Sequence, residues 1–286
     1  MSGAQGKTIL ITGATNGIGL EAAVELARGG AKVVMIGRDP ARTETAVAGV
    51  KARSGSGEVS HLLCDFSSQA SIRALAREVL GRLDRLDVLV NNAGAVNKAR
   101  RLTVDGIEMT FAVNHLGYFL LTNLLLDLLK RSAPARVVTV ASIGHRRGTL
   151  DFADLGFERG GYAIMRAYTR SKLANVLFAN ELARRLAGTG VTSNSLHPGS
   201  AATNIWSGAP LWAKPLIAIL YRPFFISAKE GGETIVQLAA SADLEGVTGK
   251  YFEKKVAVDP APLAQDQALA KRLWEVSAEM VGLPGS

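Results

Sequence analysis

The sequence predicts an α/β fold: one domain built on a doubly wound sheet of parallel strands with helices on both faces. Short β-branched runs alternate with longer segments of helical periodicity along the chain, the pattern of repeated strand–helix–strand units. Most of the short runs are continuously apolar, as strands covered on both faces are. No Pro/Gly/Ser-rich linker, internal repeat or low-complexity tract interrupts the alternation, so 1–286 reads as a single domain.

The strands are expected at Thr8 to Thr12, Lys32 to Ile36, Val59 to Cys64, Val88 to Asn91, Arg136 to Ala141 and Thr192 to His197, with a weaker seventh around Lys250 to Phe252. The helices between them are expected at Gly17 to Gly29, Pro40 to Ser54, Ser68 to Leu83, Thr103 to Arg131, Tyr162 to Thr189 and Ala228 to Ala240, with a last one over Asp266 to Met280. Asp39-Pro40 reads as an N-cap with proline at the first helical position. In such a sheet, ligands bind outside the carboxyl ends of the strands, where strand order reverses, so the residues following each strand are the ones to inspect.

Composition narrows the function classes. With 286 residues, 48% hydrophobic and 20% charged, the chain can bury a large core. The single cysteine, Cys64, sits in an apolar run and reads as a core residue; it can form no disulfide within the chain. Met1 to Lys7 contains no apolar stretch of signal length, and a cytoplasmic location is expected. No run of 18 or more uncharged apolar residues predicts a membrane span. The nearest approach, Leu211 to Ile226, is interrupted by Lys214, Pro215, Arg222 and Pro223. It reads first as part of a greasy substrate-side lid over 200–226, with an oligomer contact or a peripheral membrane patch as alternatives. The net charge of +8 is scattered among acids on helix faces, so nucleic acid is not the expected partner.

The first strand runs into Gly13-Ala14-Thr15-Asn16-Gly17-Ile18-Gly19, followed directly by an amphipathic segment. Glycines there permit a tight turn and close backbone approach, and the helix presents free N–H groups and a positive dipole end to a phosphate. Eighteen positions after Gly19, where an acid often holds the ribose 2′-hydroxyl of NAD, stands Gly37, followed by Arg38. A guanidinium at that place suits a 2′-phosphate, so NADP(H) is expected over NAD(H). Asp65, after the third strand, is a candidate acceptor for the adenine amine.

Taken in order, the glycine motif, Asp65, Asn91-Asn92-Ala93-Gly94, Asn114, Ser142, Tyr168-x-x-x-Lys172 and Pro198-Gly199 resemble the short-chain dehydrogenase/reductase family over about 7–203. Within it, Asn114-His115-Leu116-Gly117-Tyr118-Phe119, Ser171 to Phe178 and His197-Pro198-Gly199 look most like the retinol dehydrogenase group. The resemblance implies a Rossmann-like, seven-stranded sheet and a catalytic tetrad of Asn114, Ser142, Tyr168 and Lys172. It implies cofactor contacts from Gly13, Asn16, Gly17, Ile18, Gly19, Arg38, Asp65, Asn91, Ala93, Gly94, Tyr168, Lys172, Pro198, Gly199 and Thr203, and a homodimer or homotetramer. Membrane-attached members of the retinol group carry an apolar N-terminal anchor, which has no counterpart in Met1 to Lys7.

The chemistry follows from the residue types. Hydride transfer to a carbonyl leaves an alkoxide, and an acid must supply its proton. Tyr168 is the candidate. A phenol titrates near 10, so bringing it to neutrality means lowering it by roughly three units, about 4 kcal/mol. Lys172, four residues on, shares one helical face with Tyr168 and is expected to supply about one to three units of that, with the positive charge of oxidised nicotinamide providing the remainder in the alcohol-oxidising direction. Ser142 can orient the substrate oxygen, and Asn114 belongs by resemblance to a water-linked relay behind Lys172. The histidines at 61, 115, 145 and 197 show no metal-ligand spacing, and no metal is expected. His145, close after Ser142, is a candidate substrate contact or an ordinary loop residue.

The expected activity is NADP(H)-dependent hydride transfer to or from a small lipophilic alcohol, aldehyde or ketone. The alternative is a catalytically silent dinucleotide-binding regulator or scaffold of the same fold.

Overall fold

The computed structural model describes residues 2–199 and 227–284. Thr203 and the segment expected as a lid, 200–226, lie outside the described residues. The strands are β1 (Thr8–Thr12), β2 (Lys32–Gly37), β3 (Val59–Leu63), β4 (Val88–Asn91), β5 (Ala135–Val140), β6 (Val191–His197), β7 (Tyr251–Glu253) and β8 (Val256–Val258). They form one sheet in the order β3-β2-β1-β4-β5-β6-β7-β8. Seven strands run parallel, as expected, and β8 adds an antiparallel edge.

That eighth strand escaped the sequence because its turn carries no glycine signal. Lys254 and Lys255 both take positive φ, 48° and 69°, the geometry a two-residue hairpin requires but that Asn-Gly normally announces.

Helices α1 (Gly17–Arg28), α2 (Pro40–Ser54) and α3 (Gln69–Arg82) fall where expected. The single long helix expected over Thr103 to Arg131 is instead α4 (Met109–Phe111), a π-helical turn over Ala112–Leu116, α5 (Gly117–Leu124) and α6 (Leu126–Arg131). Asp105-Gly106 makes a turn at its start, with Gly106 at φ 76° and Leu102 bridged to Glu108. The Glu108 carboxylate then accepts from the amides of Thr110 and Phe111, both at 2.8 Å, and starts the helix. The chain continues with α7 (Ile164–Arg185), α8 (Ala228–Ala240) and α9 (Gln267–Met280).

Two cores flank the sheet. One buries Leu10, Leu89, Val137 and Tyr251 with α3, α5, α7 and α9; the other buries Ile9, Val88 and Val138 with α1, α2 and α8. Cys64 belongs to the first core, and burial pushes its thiol up to about 11, the behaviour of a packing residue. Among the described residues no helix is long and apolar enough to cross a membrane.

Strand order reverses between β1 and β4. The loops after these two strands, together with those after β5 and β6, therefore open on one crevice and carry Gly13 to Gly17, Ala93, Gly94, Ser142, Pro198 and Gly199, while Arg38 and Asp65 follow β2 and β3 and Asn114, Tyr168 and Lys172 stand on helices.

Candidate active site

The crevice is built first by the glycine loop. Gly13 (φ 65°) packs so closely on the loop after β4 that a Cβ would stand 2.6 Å from the Ala93 Cα. Gly17 (φ 57°) starts α1, and a Cβ there would meet nothing within 4 Å, so its outer face is open. Asn16 is an N-cap type of residue, yet its side chain makes no capping bond. By contrast α2, α3, α8 and α9 are capped by Asp39, Ser68, Ser227 and Asp266. The first amides of α1, with the positive end of its dipole, thus stand open to an anion, which is what a dinucleotide pyrophosphate requires.

The loop is held by two residues to which sequence reasoning gave no role. The Thr12 hydroxyl donates to Val90 O (3.2 Å) and accepts from the amides of Asn92 and Ala93 (2.8 and 3.0 Å). Asn92 donates to Thr12 O (2.8 Å) and Gly13 O (3.0 Å). Together they clamp β1 to β4 at the crevice. Asn92 was visible in the Asn-Asn-Ala-Gly run; Thr12 looks like any strand-end threonine. Asn91 turns the other way: its side chain is buried and donates to Thr122 on α5 at 3.0 Å. Its side chain is therefore a tie to the helix layer and does not face the groove.

At the adenosine end, a side chain at Gly37 would collide with Thr15 and Thr43, so packing excludes an acid there. Arg38 is exposed and makes no hydrogen bond or ion pair among the described residues. Asp39 accepts from the Arg42 amide at 2.9 Å and caps α2, as its position next to Pro40 predicts. Asp65 uses one carboxylate oxygen to accept from the Ser67 amide and hydroxyl (2.9 and 2.7 Å).

At the other end, Asn114 sits in the π-helical turn, a geometry often found at functional sites. Its Oδ1 accepts from the Ala95 amide (2.7 Å) and its Nδ2 donates to Ala95 O (3.0 Å) and to Ser171 Oγ (3.1 Å), pinning the loop after Gly94 to α7. The Ser171 hydroxyl donates to Tyr168 O at 2.7 Å. Lys172 is buried and donates to Val140 O at 3.0 Å, with Nζ 5.7 Å from the centre of the Tyr168 ring. Ser142 caps the turn after β5, accepting from the Gly144 amide at 3.1 Å, and its hydroxyl and the Tyr168 ring both flank Gly144, where a Cβ would stand 3.4 and 3.6 Å from them. Tyr118, whose phenol donates to Ala93 O at 2.6 Å, is fully buried and braces the same loop.

Among the chain's own groups, the electrostatics work against ionising the phenol. Burial is the largest influence on Tyr168 and pushes its phenol above its ordinary value, with only the Ser142 hydrogen bond pulling it down. Burial likewise lowers Lys172 to about 8. Titrating at about 8, the ammonium keeps its charge at neutrality, yet burial of the phenol outweighs its pull, so it does not by itself bring Tyr168 down to neutrality. The Tyr–Lys pair is assembled by the fold; its tuning depends on further positive charge.

His145 is also corrected as a substrate contact. Its Nδ1–H donates to Ser142 O (2.8 Å) and its Nε2 accepts from the Ala261 amide (3.0 Å), so the buried ring has no nitrogen left over. It ties the Ser142 loop to the segment after β8. Burial lowers His197, the last residue of β6, to about 4. Among the described residues no cluster of His, Cys, Asp and Glu is placed to hold a metal ion.

The family model for short chain dehydrogenases matches residues 7–213. The chain belongs to the short-chain dehydrogenase family. Members of this family are oxidoreductases that bind nicotinamide dinucleotides, in keeping with the open glycine cradle. Among curated proteins, this short-chain dehydrogenase is 46% identical to human retinol dehydrogenase 14, over 97% of this chain and 87% of the other. It is 44% identical to mouse retinol dehydrogenase 12, with 97% and 87% covered, and 42% identical to human retinol dehydrogenase 13, with 97% and 85% covered. Among solved structures, an uncharacterized protein from Mycobacterium paratuberculosis superposes with a TM-score of 0.81 at 32% identity, covering 99% of this chain and 96% of that one. The NADP active-site complex of Pseudomonas aeruginosa RhlG superposes with a TM-score of 0.71 at 26% identity, covering 94% and 99%.

Proposed function

We propose that this short-chain dehydrogenase uses NADP(H) to interconvert a small lipophilic alcohol with its aldehyde or ketone, with retinol and retinaldehyde the first substrates to test. The observation that carries the reading is Tyr168 with Lys172 on its own helix, Nζ 5.7 Å from the ring centre, and Ser142 flanking the same glycine as that ring, beside an uncapped helix N-terminus. The printed names of the relatives support the substrate class.

Gly13, Asn16, Gly17, Ile18 and Gly19 would cradle the pyrophosphate, Arg38 the 2′-phosphate, and Asp65, Ala93, Gly94, Pro198 and Gly199 the remainder of the dinucleotide. The uncommitted Arg38 beside a position that excludes an acid supports the NADP(H) preference. When bound in its reduced form, the cofactor supplies the hydride that adds to the carbonyl carbon, and in its oxidised form a positive charge near the phenol.

The chain's own residues handle the oxygen and its proton. Ser142 donates a hydrogen bond to the substrate oxygen and fixes its orientation. Tyr168 gives its phenolic proton to the oxygen as the alkoxide forms, and takes it back in alcohol oxidation. Lys172 stabilises the phenolate that remains, and Asn114 holds the loop and Ser171 against the helix that carries both. We place the protein in the cytoplasm as a homodimer or homotetramer.

The test is a panel of retinoid, steroid, aliphatic and aromatic alcohols and carbonyls with both cofactors, run on wild type and Tyr168→Phe. Turnover of the lipophilic members with NADP(H), lowered 10²–10⁴-fold in Tyr168→Phe with cofactor affinity retained, is the expected result. Cofactor binding without turnover of any member would instead identify a silent dinucleotide-binding protein.

A further inference from the structure

Ser142, Tyr168 and Lys172 account for the polar end of the site, and the residues on its open side have no role yet. The turn of α7 that follows Tyr168 is buried, with Ser171 and Lys172. The turn before it starts the helix and carries Ile164 and Met165, four and three positions ahead of Tyr168 and so flanking it on the same side. Both are exposed, at 37% and 55%. A single exposed apolar side chain is ordinary on a surface. These two are not isolated. Of the ten large apolar side chains exposed among the described residues, three belong to this place: Ile164, Met165 and Ile143, which directly follows Ser142 in the turn whose Gly144 packs against the Tyr168 ring.

The peptide that leads into this turn is held under strain. Phe157 is buried with φ 55°, a left-handed conformation that is unfavourable for a bulky side chain. Its surroundings impose it. The Arg170 guanidinium, itself buried, lies 3.9 Å from the ring centre and donates to Asp154 O and Leu155 O, both at 2.7 Å, and to Thr149 O at 3.2 Å. Tyr162 sets its ring edge-on to Phe157, with centroids 5.6 Å apart, and its phenol donates to Asn97 O at 2.7 Å on the loop after β4. The segment before α7 is thereby fixed both to the helix and to the opposite bank of the crevice. Backbone strain persists where packing over-determines it, and it gathers where placement matters to function. What this segment places is the first turn of α7.

We propose that Ile164 and Met165 are specificity-determining residues: they form an apolar step, one helical turn or about 5.4 Å out from Tyr168, on which the body of the substrate lies once its oxygen has reached Ser142 and Tyr168. The ligand chemistry follows. The carbonyl or alcohol stands at one end of an apolar body long enough to cover that turn. A short carbonyl compound occupies the polar end alone and gains nothing from the step. The inference rests on the function proposed above and narrows its substrates from lipophilic to elongated.

The experiment measures kcat/KM with NADPH for straight-chain aldehydes from propanal to decanal and for all-trans-retinaldehyde. The proteins are wild type, Ile164→Ala, Met165→Ala, Ile164→Leu and, as a surface control, Leu80→Ala, whose side chain is 45% exposed on α3. Wild type is expected to favour decanal over propanal, because only the longer chain reaches the step. Each alanine withdraws about two methylene contacts and is expected to lower the decanal-to-propanal ratio by roughly 10-fold. Ile164→Leu keeps the apolar contact and is expected to hold the ratio near wild type. Both positions are exposed and alanine favours the helix, so thermal unfolding is expected to be unchanged.

A ratio unmoved in either alanine variant, one that falls as far in Ile164→Leu, or one that Leu80→Ala moves equally, overturns the proposal. A wild type that turns over propanal and decanal equally well also overturns it, while the functional reading survives. A wild type that reduces no member of the series, retinaldehyde included, overturns the functional reading and this inference with it.

Discussion

Lys172→Met is expected to make the cofactor-free protein more stable while removing its activity. Folding takes the ammonium from water into a site where burial lowers it from 10.5 to about 8. At 1.36 kcal/mol per unit, holding it charged below pH 8 costs about 3 kcal/mol. Methionine keeps the apolar stem and gives up one hydrogen bond to Val140 O, worth about 1 kcal/mol, and Asn175 still satisfies that carbonyl. The net gain is about 2 kcal/mol, or an increase in Tm of roughly 4–8 °C for a chain of this size.

The sign has a pH signature. Between about pH 8 and 10.5 the unfolded chain holds a proton on this lysine that the folded chain has released, so wild-type stability climbs with pH through that window. The advantage of the variant is therefore full below pH 8 and gone by about pH 10.5. Calorimetry of both cofactor-free proteins from pH 6.5 to 10.5 measures it. A variant no more stable than wild type at pH 7, or a difference that stays flat with pH, would refute the reasoning that Lys172 is held in strained desolvation for the sake of the site.

Arg38→Ala is expected to lower kcat/KM with NADPH by roughly 10–100-fold, the loss of a charged hydrogen bond, and to change that with NADH less than about twofold; steady-state kinetics with both cofactors decides it, and a surviving NADPH preference would sink the assignment. In Gly13→Ala the new Cβ meets the Ala93 backbone in a left-handed conformation, so urea unfolding should show a loss of roughly 1–3 kcal/mol together with weakened dinucleotide binding by fluorescence titration.

How much of this was legible without coordinates can be read residue by residue. The parallel strands were visible because burial on both faces leaves an unbroken apolar run, and α1 because glycines, then an amphipathic period, follow β1 directly. Tyr168 and Lys172 were found together because a spacing of four is one turn of any helix. The helix expected from Thr103 was too long, since the 3.6-residue period is nearly blind to a π-helical turn that keeps most side chains on the same face. The eighth strand was missed because its lysine-only turn mimics a solvated charge run.

The sequence by itself therefore determined the order of the elements, the phosphate cradle and the chemical types at the crevice, because these depend on local periodicity and on residues a few positions apart. Only the tertiary structure decided what those residues can do. Whether Asn91 faces cofactor or core, whether His145 is free or committed, and whether Tyr168 titrates up or down depend on which groups remote in the chain are brought alongside and how much water they exclude. Burial and electrostatic coupling are properties of the packed interior, and no spacing along the chain encodes them.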